Sequence, residues 1–113
     1  MARSKLPDPL AKRHLLEARL DAGKARALAD EYLALGREIE AIDFLVQAGA
    51  TEAIEALEQA ALERGDVFLM KKVALAFGRD PSPERWRALS DAATRAGRAR
   101  DAETAARLAT VDA

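Results

Sequence analysis

Glycine spacing is the feature that most constrains how this chain of 113 residues can fold. Each glycine follows a stretch of apolar residues at helical spacing, and three of the five intervals between glycines are 13 residues long. Glycine adopts at little cost the left-handed conformation that ends many helices. One short helix and a tight turn fill such an interval, so short helices are expected throughout. The glycines are Gly23, Gly36, Gly49, Gly65, Gly78 and Gly97.

Helix start signals agree with these ends. Ser82-Pro83-Glu84 supplies a cap, a first-turn proline and a first-turn acid, and Asp66 and Thr51 stand at similar places. Connections this short make sequential helices antiparallel neighbours. We therefore predict an all-α fold in a single domain, 1–113, with residues 1–7 loose. The predicted helices are 9–22, 24–35, 38–48, 51–64, 66–77, 82–96 and 98–111, paired as hairpins 24–48, 51–77 and 82–111 after the first.

Apolar patterning separates helix 66–77 from the others. The other helices show single apolar stripes, and helix 51–64 turns a row of glutamates outward, namely Glu52, Glu55, Glu58 and Glu63. In helix 66–77, by contrast, apolar residues from Val67 to Phe77 surround the axis. A helix that is apolar on most sides is typical of a buried position, so we expect this helix in the middle of the core.

Several classes of function lack the residues they need. The chain has no cysteine, which excludes disulfides and thiolate chemistry. Its one histidine, His14, has no second metal ligand at helical spacing, and no phosphate-binding loop or hydrolase motif is present. We predict no catalytic residue, no metal site and no cofactor. Neither a signal peptide nor a membrane-spanning segment can be recognised, so a cytoplasmic location is expected.

An internal repeat appears when the chain is shifted by 61 residues. Lys24–Ala48 then aligns with Arg85–Ala109, and the Arg-Ala-Leu-x-Asp segment at Arg26 meets its counterpart at Arg87. The two Gly-Arg pairs, at Gly36 and Gly97, also coincide. Repetition on this scale indicates a helical array.

These segments resemble tetratricopeptide repeats. The residues that fit the pattern of that family are Leu28, Ala29, Tyr32, Gly36, Ala41, Leu45 and Ala48 in the first copy, and Trp86, Leu89, Ser90, Gly97, Ala102, Ala106 and Ala109 in the second. Ala25 stands where the family has tryptophan, and Ala93 where it has tyrosine. The resemblance implies stacked hairpins in a right-handed superhelix. An array of the HEAT type is the alternative.

The resemblance further implies that a peptide or partner helix binds in a groove lined by the first helix of each pair. The residues expected to face that groove are Arg26, Asp30 and Leu33, with Arg87, Asp91 and Thr94 in the second copy. An ordinary ion pair within one helix is the alternative interpretation of each Arg and Asp four residues apart.

Charge is unevenly distributed along the chain. Residues 28–66 carry two basic and ten acidic side chains, whereas residues 67–113 carry nine basic and six acidic ones. A basic patch is predicted near the C-terminus, although an ordinary solvated face with neighbouring acids is the alternative. The arginines of this patch are Arg85, Arg95, Arg98 and Arg100, with Arg87 and Arg107 beside them.

The preferred hypothesis is a non-catalytic adaptor that binds a protein or peptide partner of unknown identity. The first alternative is a structural protein that associates with itself, because solenoid ends expose apolar faces and the charge blocks of two copies are complementary. The second is a small regulator that contacts nucleic acid through the C-terminal arginines, although no aromatic residues are interleaved with them.

Overall fold

Six α-helices and no strand make up the described part of the chain, which in this computed structural model comprises Leu10 and residues 21–111. The all-α prediction is therefore confirmed. Most of the predicted helix 9–22, the predicted loose segment 1–7 and His14 lie outside the described residues. The helices are α1 (Ala22–Ala34), α2 (Glu38–Ala48), α3 (Thr51–Arg64), α4 (Val67–Phe77), α5 (Pro83–Arg95) and α6 (Ala99–Val111).

The start of α1 differs from the prediction. Asp21 is extended and caps the helix, since its carboxylate accepts a hydrogen bond of 2.9 Å from the backbone N–H of Lys24. Gly23 was expected to end the preceding helix, but it lies in the first turn of α1. The prediction was wrong here because Asp21 caps the next helix, and Gly23 then falls inside the first turn of that helix.

The other five glycines do end helices, each with a positive φ between 65° and 75°. In the turn after α1, the N–H of Arg37 donates to the carbonyl of Tyr32 at 2.9 Å. In the turn after α5, the N–H of Arg98 donates to the carbonyl of Ala93 at 2.8 Å. Both bonds close the same type of helix C-terminus, so the two Gly-Arg pairs have equivalent structures 61 residues apart.

The chain divides into two compact units, with the boundary inside α3 between Ile54 and Glu55. In the first unit, α1 packs against α2. Its interior contains Tyr32 and Phe44, whose rings stack with centroids 5.6 Å apart. The guanidinium of Arg37 lies 5.0 Å from the centre of the Tyr32 ring and also forms two hydrogen bonds with Glu40.

The second unit contains the rest of α3 together with α4, α5 and α6. Helices α5 and α6 pack along their length, and α4 also contacts α6. The turn between α3 and α4 passes so close to α5 that a Cβ atom on Gly65 would overlap the backbone of Ala93. Asp101 of α6 accepts a hydrogen bond of 3.4 Å from the N–H of Val67, the first residue of α4. This contact joins α6 to the start of α4.

Helix α4 is not buried on all sides, and that prediction was wrong. Val67, Leu69, Met70 and Val73 are buried, but Phe68 is 70% exposed and Leu75 is 79% exposed. The sequence could not show which side of this helix is buried, because the outward face also carries large apolar residues. Helix α4 therefore presents an apolar face to solvent.

Candidate functional site

The predicted groove residues of the first unit lie on α1. Arg26 and Asp30 are both exposed and form an ion pair of 3.1 Å across one helical turn. Leu33 is half-buried. The ion pair is the alternative interpretation stated for these residues, and it satisfies both charges without a partner molecule.

The corresponding residues of the second unit lie on α5 and behave differently. Arg87 and Asp91 are exposed, and no ion pair joins them within the described residues. The hydroxyl of Thr94 donates to the carbonyl of Ser90 at 3.0 Å, a contact inside the helix. The repeated Arg and Asp thus have the same spacing in both helices but form a pair in only one.

The predicted basic patch is partly neutralised by nearby carboxylates. Arg85 reaches Glu58 of α3 at 2.5 Å, and Arg98 lies 3.6 Å from Asp101. Arg95 is exposed in the last turn of α5, where a cation is favoured by the helix dipole, and Arg100 is exposed in the first turn of α6. Two of the four arginines therefore have an acidic partner within the second unit.

A different site is formed by the outward face of α4. Phe68 and Leu75 are seven residues apart, so their side chains lie on the same face of the helix. Lys71 lies between them along the axis and is exposed. Phe68 and Leu75 are the two most exposed large apolar side chains among the described residues, and exposed apolar residues that share a face are candidates for an interaction surface.

This face borders an open cleft of approximately 770 Å³ within the second unit. Ala74 and Leu75 line it from the end of α4, together with Trp86 of α5 and Leu108 of α6. Trp86 is buried, with 6% of its surface exposed. The remaining lining residues are Lys71, Gly78, Arg79, Asp80, Pro81 and Pro83. The cleft therefore combines apolar walls with a charged rim.

The loop between α4 and α5 shapes the cleft through local hydrogen bonds. Gly78 ends α4 with φ of 68°, and the N–H of Arg79 donates to the carbonyl of Ala74 at 3.2 Å. Ser82 caps α5 by accepting a hydrogen bond of 3.2 Å from the N–H of Arg85, and Pro83 is the first helical residue. Proline at this position and the cap fix the backbone, so the loop is held at both ends.

The rim of the cleft carries more positive than negative charge. Lys71 and Arg79 are exposed cations, and Asp80 is the only acid among the lining residues that the structure describes. The guanidinium of Arg79 lies 4.5 Å from the centre of the Phe77 ring, which holds it beside the loop. A smaller cavity of approximately 210 Å³ lies next to it, against Phe77, Arg79 and the Arg85–Glu58 pair.

This site was not predicted from the sequence. Phe68 and Leu75 were expected in the core with the other apolar residues of the helix. Lys71 could have indicated that they face solvent, because a lysine between them on the same face keeps that face in contact with water. Trp86 was recognised only as a repeat residue, and the sequence could not show that it lines a cleft.

Residues 10 and 21–111 contain no group of three potential metal-binding side chains. None of the described helices is long and apolar enough to cross a membrane. Comparison with protein-family models, curated proteins and solved structures finds no match for this chain.

Proposed function

We propose that this chain is a non-catalytic protein-binding module, and that it holds a peptide or partner helix against the apolar face of α4 and the adjoining cleft. The observation that carries the proposal is the exposure of Phe68 and Leu75 on one helix face beside the cleft at Trp86. Burying each of these side chains on binding would contribute about 1.5–3 kcal/mol. No reacting group is required for such a role.

A macromolecular partner fits the site better than a small molecule. Pockets for small ligands cover most of the ligand surface. Here Leu75 lines the cleft and is 79% exposed, and Phe68, about two turns away on the same face of α4, is 70% exposed. An extended apolar strip beside an open cleft matches the helix-in-groove mode of recognition, in which several side chains of one helix make contact.

The resemblance to tetratricopeptide repeats agrees with this role. The repeat itself stays a prediction, and arrays of this kind are expected to bind peptides on their concave surface. The groove residues Arg26, Asp30, Leu33, Arg87, Asp91 and Thr94 stay a prediction. The α4 face is preferred as the binding surface because Arg26 and Asp30 already satisfy one another.

Self-association is the second candidate, favoured by an exposed apolar residue on the first unit. Leu35, the residue that follows α1, is 55% exposed. Light scattering at high protein concentration and low salt tests this candidate, and a monomer under those conditions would eliminate it. Nucleic-acid binding is less favoured, because Arg85 and Arg98 each have a carboxylate nearby.

Affinity capture with three forms of the chain tests the proposal. Leu75→Glu places a charge on the α4 face, and Val46→Glu is its matched control. Both positions are exposed, both lie two residues before the end of an 11-residue helix, and both helices end at a left-handed glycine. We expect wild type and Val46→Glu to capture the same protein and Leu75→Glu to lose it. An unchanged captured set with Leu75→Glu would contradict the proposal.

A further inference from the structure

We infer that the occupant of the α4 face is an acidic amphipathic helix, whose apolar residues contact Phe68, Leu75 and the cleft and whose carboxylates face Lys71 and Arg79. This inference rests on the proposed function and specifies the chemistry of its partner. It is argued from the spacing of the apolar residues, the charge of the rim and the form of the cleft.

The spacing of the exposed apolar residues favours a helical partner. Phe68 and Leu75 are seven residues apart on α4, which is roughly 10.5 Å along the axis. A partner helix lying along α4 presents its own apolar residues at the same interval, as positions i and i+7, with i+3 or i+4 between them. An extended strand places side chains of one face about 6.6 Å apart and does not match this interval.

The charge of the site favours an acidic partner. Helix α4 carries Lys71 and Lys72 and no acidic residue. Lys71 forms no ion pair within the described residues, and Arg79 contacts an aromatic ring rather than a carboxylate there. By contrast, Arg85 on the far side of the loop is paired with Glu58. Lys71 and Arg79 are thus the cations of this site that can meet carboxylates of a partner.

The form of the cleft places one apolar residue of the partner. Leu75, Trp86 and Leu108 all line the cleft. A leucine or phenylalanine of the partner can enter the cleft while a residue two turns along its helix contacts Phe68.

The inference is tested by the fluorescence of Trp86, which is the only tryptophan of the chain. The probe is a synthetic helical peptide of about four turns, free of tryptophan, with leucine at i, i+3, i+7 and i+10 and glutamate on its flanks. A second peptide has lysine in place of every glutamate. We expect the acidic peptide to change Trp86 emission saturably, with affinity that falls as salt rises. The basic peptide is expected to leave the emission unchanged.

Variants of the full chain localise the binding. Leu75→Glu should abolish the response, and Lys71→Glu combined with Arg79→Glu should weaken the affinity for the acidic peptide on the order of tenfold. Val46→Glu should bind like wild type. Circular dichroism confirms that each variant is folded, which the exposure of the substituted side chains leads us to expect.

Four results would overturn the inference. Equal binding of both peptides would remove the charge preference, and binding that survives Leu75→Glu would place the peptide elsewhere. A dimer of wild type that becomes monomeric with Leu75→Glu would make a second copy the occupant. If neither peptide binds while affinity capture still depends on Leu75, the acidic-helix inference is wrong and the proposed function stands. If capture does not depend on Leu75 either, both are wrong.

Discussion

The hairpins α1–α2 and α5–α6 have the same turn but differ in where they place their large side chains. Tyr32, near the turn of the first, corresponds to Ala93 in the second, and its stacking partner Phe44 corresponds to Ala105. At the far end the order is reversed, since Ala25 corresponds to Trp86. All six of these side chains are buried.

A close neighbour distinguishes the second hairpin. The turn at Gly65 lies so near Ala93 that a Cβ atom on Gly65 would overlap the backbone of Ala93. The second hairpin carries its aromatic ring at the other end, where Trp86 lines the cleft. One type of turn can therefore join hairpins whose interiors are filled by different residues. In the second hairpin the large side chain, Trp86, lies where it lines the candidate site.

Removing the aromatic stack should have the largest effect on stability. Tyr32→Ala deletes a fully buried ring that stacks on Phe44, and we expect the free energy of unfolding to fall by about 3–5 kcal/mol. Urea unfolding followed by far-ultraviolet circular dichroism measures the change. Tyr32→Phe keeps the ring and is the control, with a much smaller expected loss. A loss below about 1 kcal/mol for Tyr32→Ala would mean that the ring does not fill the first hairpin.

A methyl group added at Gly65, beside the second hairpin, should lower the free energy of unfolding more than one added at Gly36, in the turn of the first hairpin. Gly65→Ala adds a Cβ that overlaps Ala93 at a φ of 70°, so we expect a loss of roughly 3 kcal/mol or more. Gly36→Ala at a φ of 73° meets open space and should cost about 1–2 kcal/mol, the conformational part alone. Denaturant unfolding of both variants gives the difference, and equal losses would refute the close approach.

Replacing Ser90 by alanine, the residue at the equivalent position of the first hairpin, should have a smaller effect on the free energy of unfolding. Ser90 corresponds to Ala29, and its hydroxyl donates a hydrogen bond of 2.9 Å to the carbonyl of Ala102 on α6. Ser90→Ala removes this link between the helices, and we expect a loss of about 0.5–1.5 kcal/mol. Urea unfolding followed by Trp86 emission reports on the second unit directly. A stabilised variant would show that the hydroxyl is not needed there.

The smallest expected effect concerns the titration of Tyr32. Burial, followed by the charge of Glu40, raises the pKa of Tyr32 above its ordinary value. The unfolded chain therefore loses this proton first, near pH 10. The free energy of unfolding should fall as the pH rises from about 10 through the higher pKa of the folded state, and should not depend on this group below that range.

The measurement is direct because Tyr32 is the only tyrosine. Tyrosinate absorbance gives its pKa in the folded and the unfolded chain. Tyr32→Phe is the control for stability, since lysines titrate in the same range. An identical slope of stability against pH in both proteins would show that the environment of Tyr32 does not disfavour the tyrosinate.

Much of the fold was predictable from local signals. The ends of α2 and α4 follow from Gly49 and Gly78, and the start of α5 follows from Ser82 and Pro83. The equivalence of the two Gly-Arg turns was likewise readable from their glycines, since the same hydrogen bond also closes the turns at Gly49, Gly65 and Gly78. These features depend on a few adjacent residues, so the sequence contains the information to place them. The error at Gly23 arose because Asp21 supplied a stronger local signal.

The candidate site was less predictable. The Arg and Asp pattern was visible at both copies, but sequence cannot say that Arg26 pairs with Asp30 while Arg87 and Asp91 stay apart. The apolar residues of α4 were visible too, but not the side of the helix that stays in water. Both questions depend on which neighbours approach, and no local pattern contains that information.

The sequence by itself determined most of the helix bounds and the turns that end at glycine, because backbone conformation follows from propensities, caps and glycines over a few residues. Only the tertiary structure decided that the Gly65 turn packs against Ala93, that Phe68 and Leu75 face solvent, and that Trp86 lines a cleft. Burial is a property of the space between elements, and that space is set by residues far apart in the chain, as Gly65 and Ala93 show.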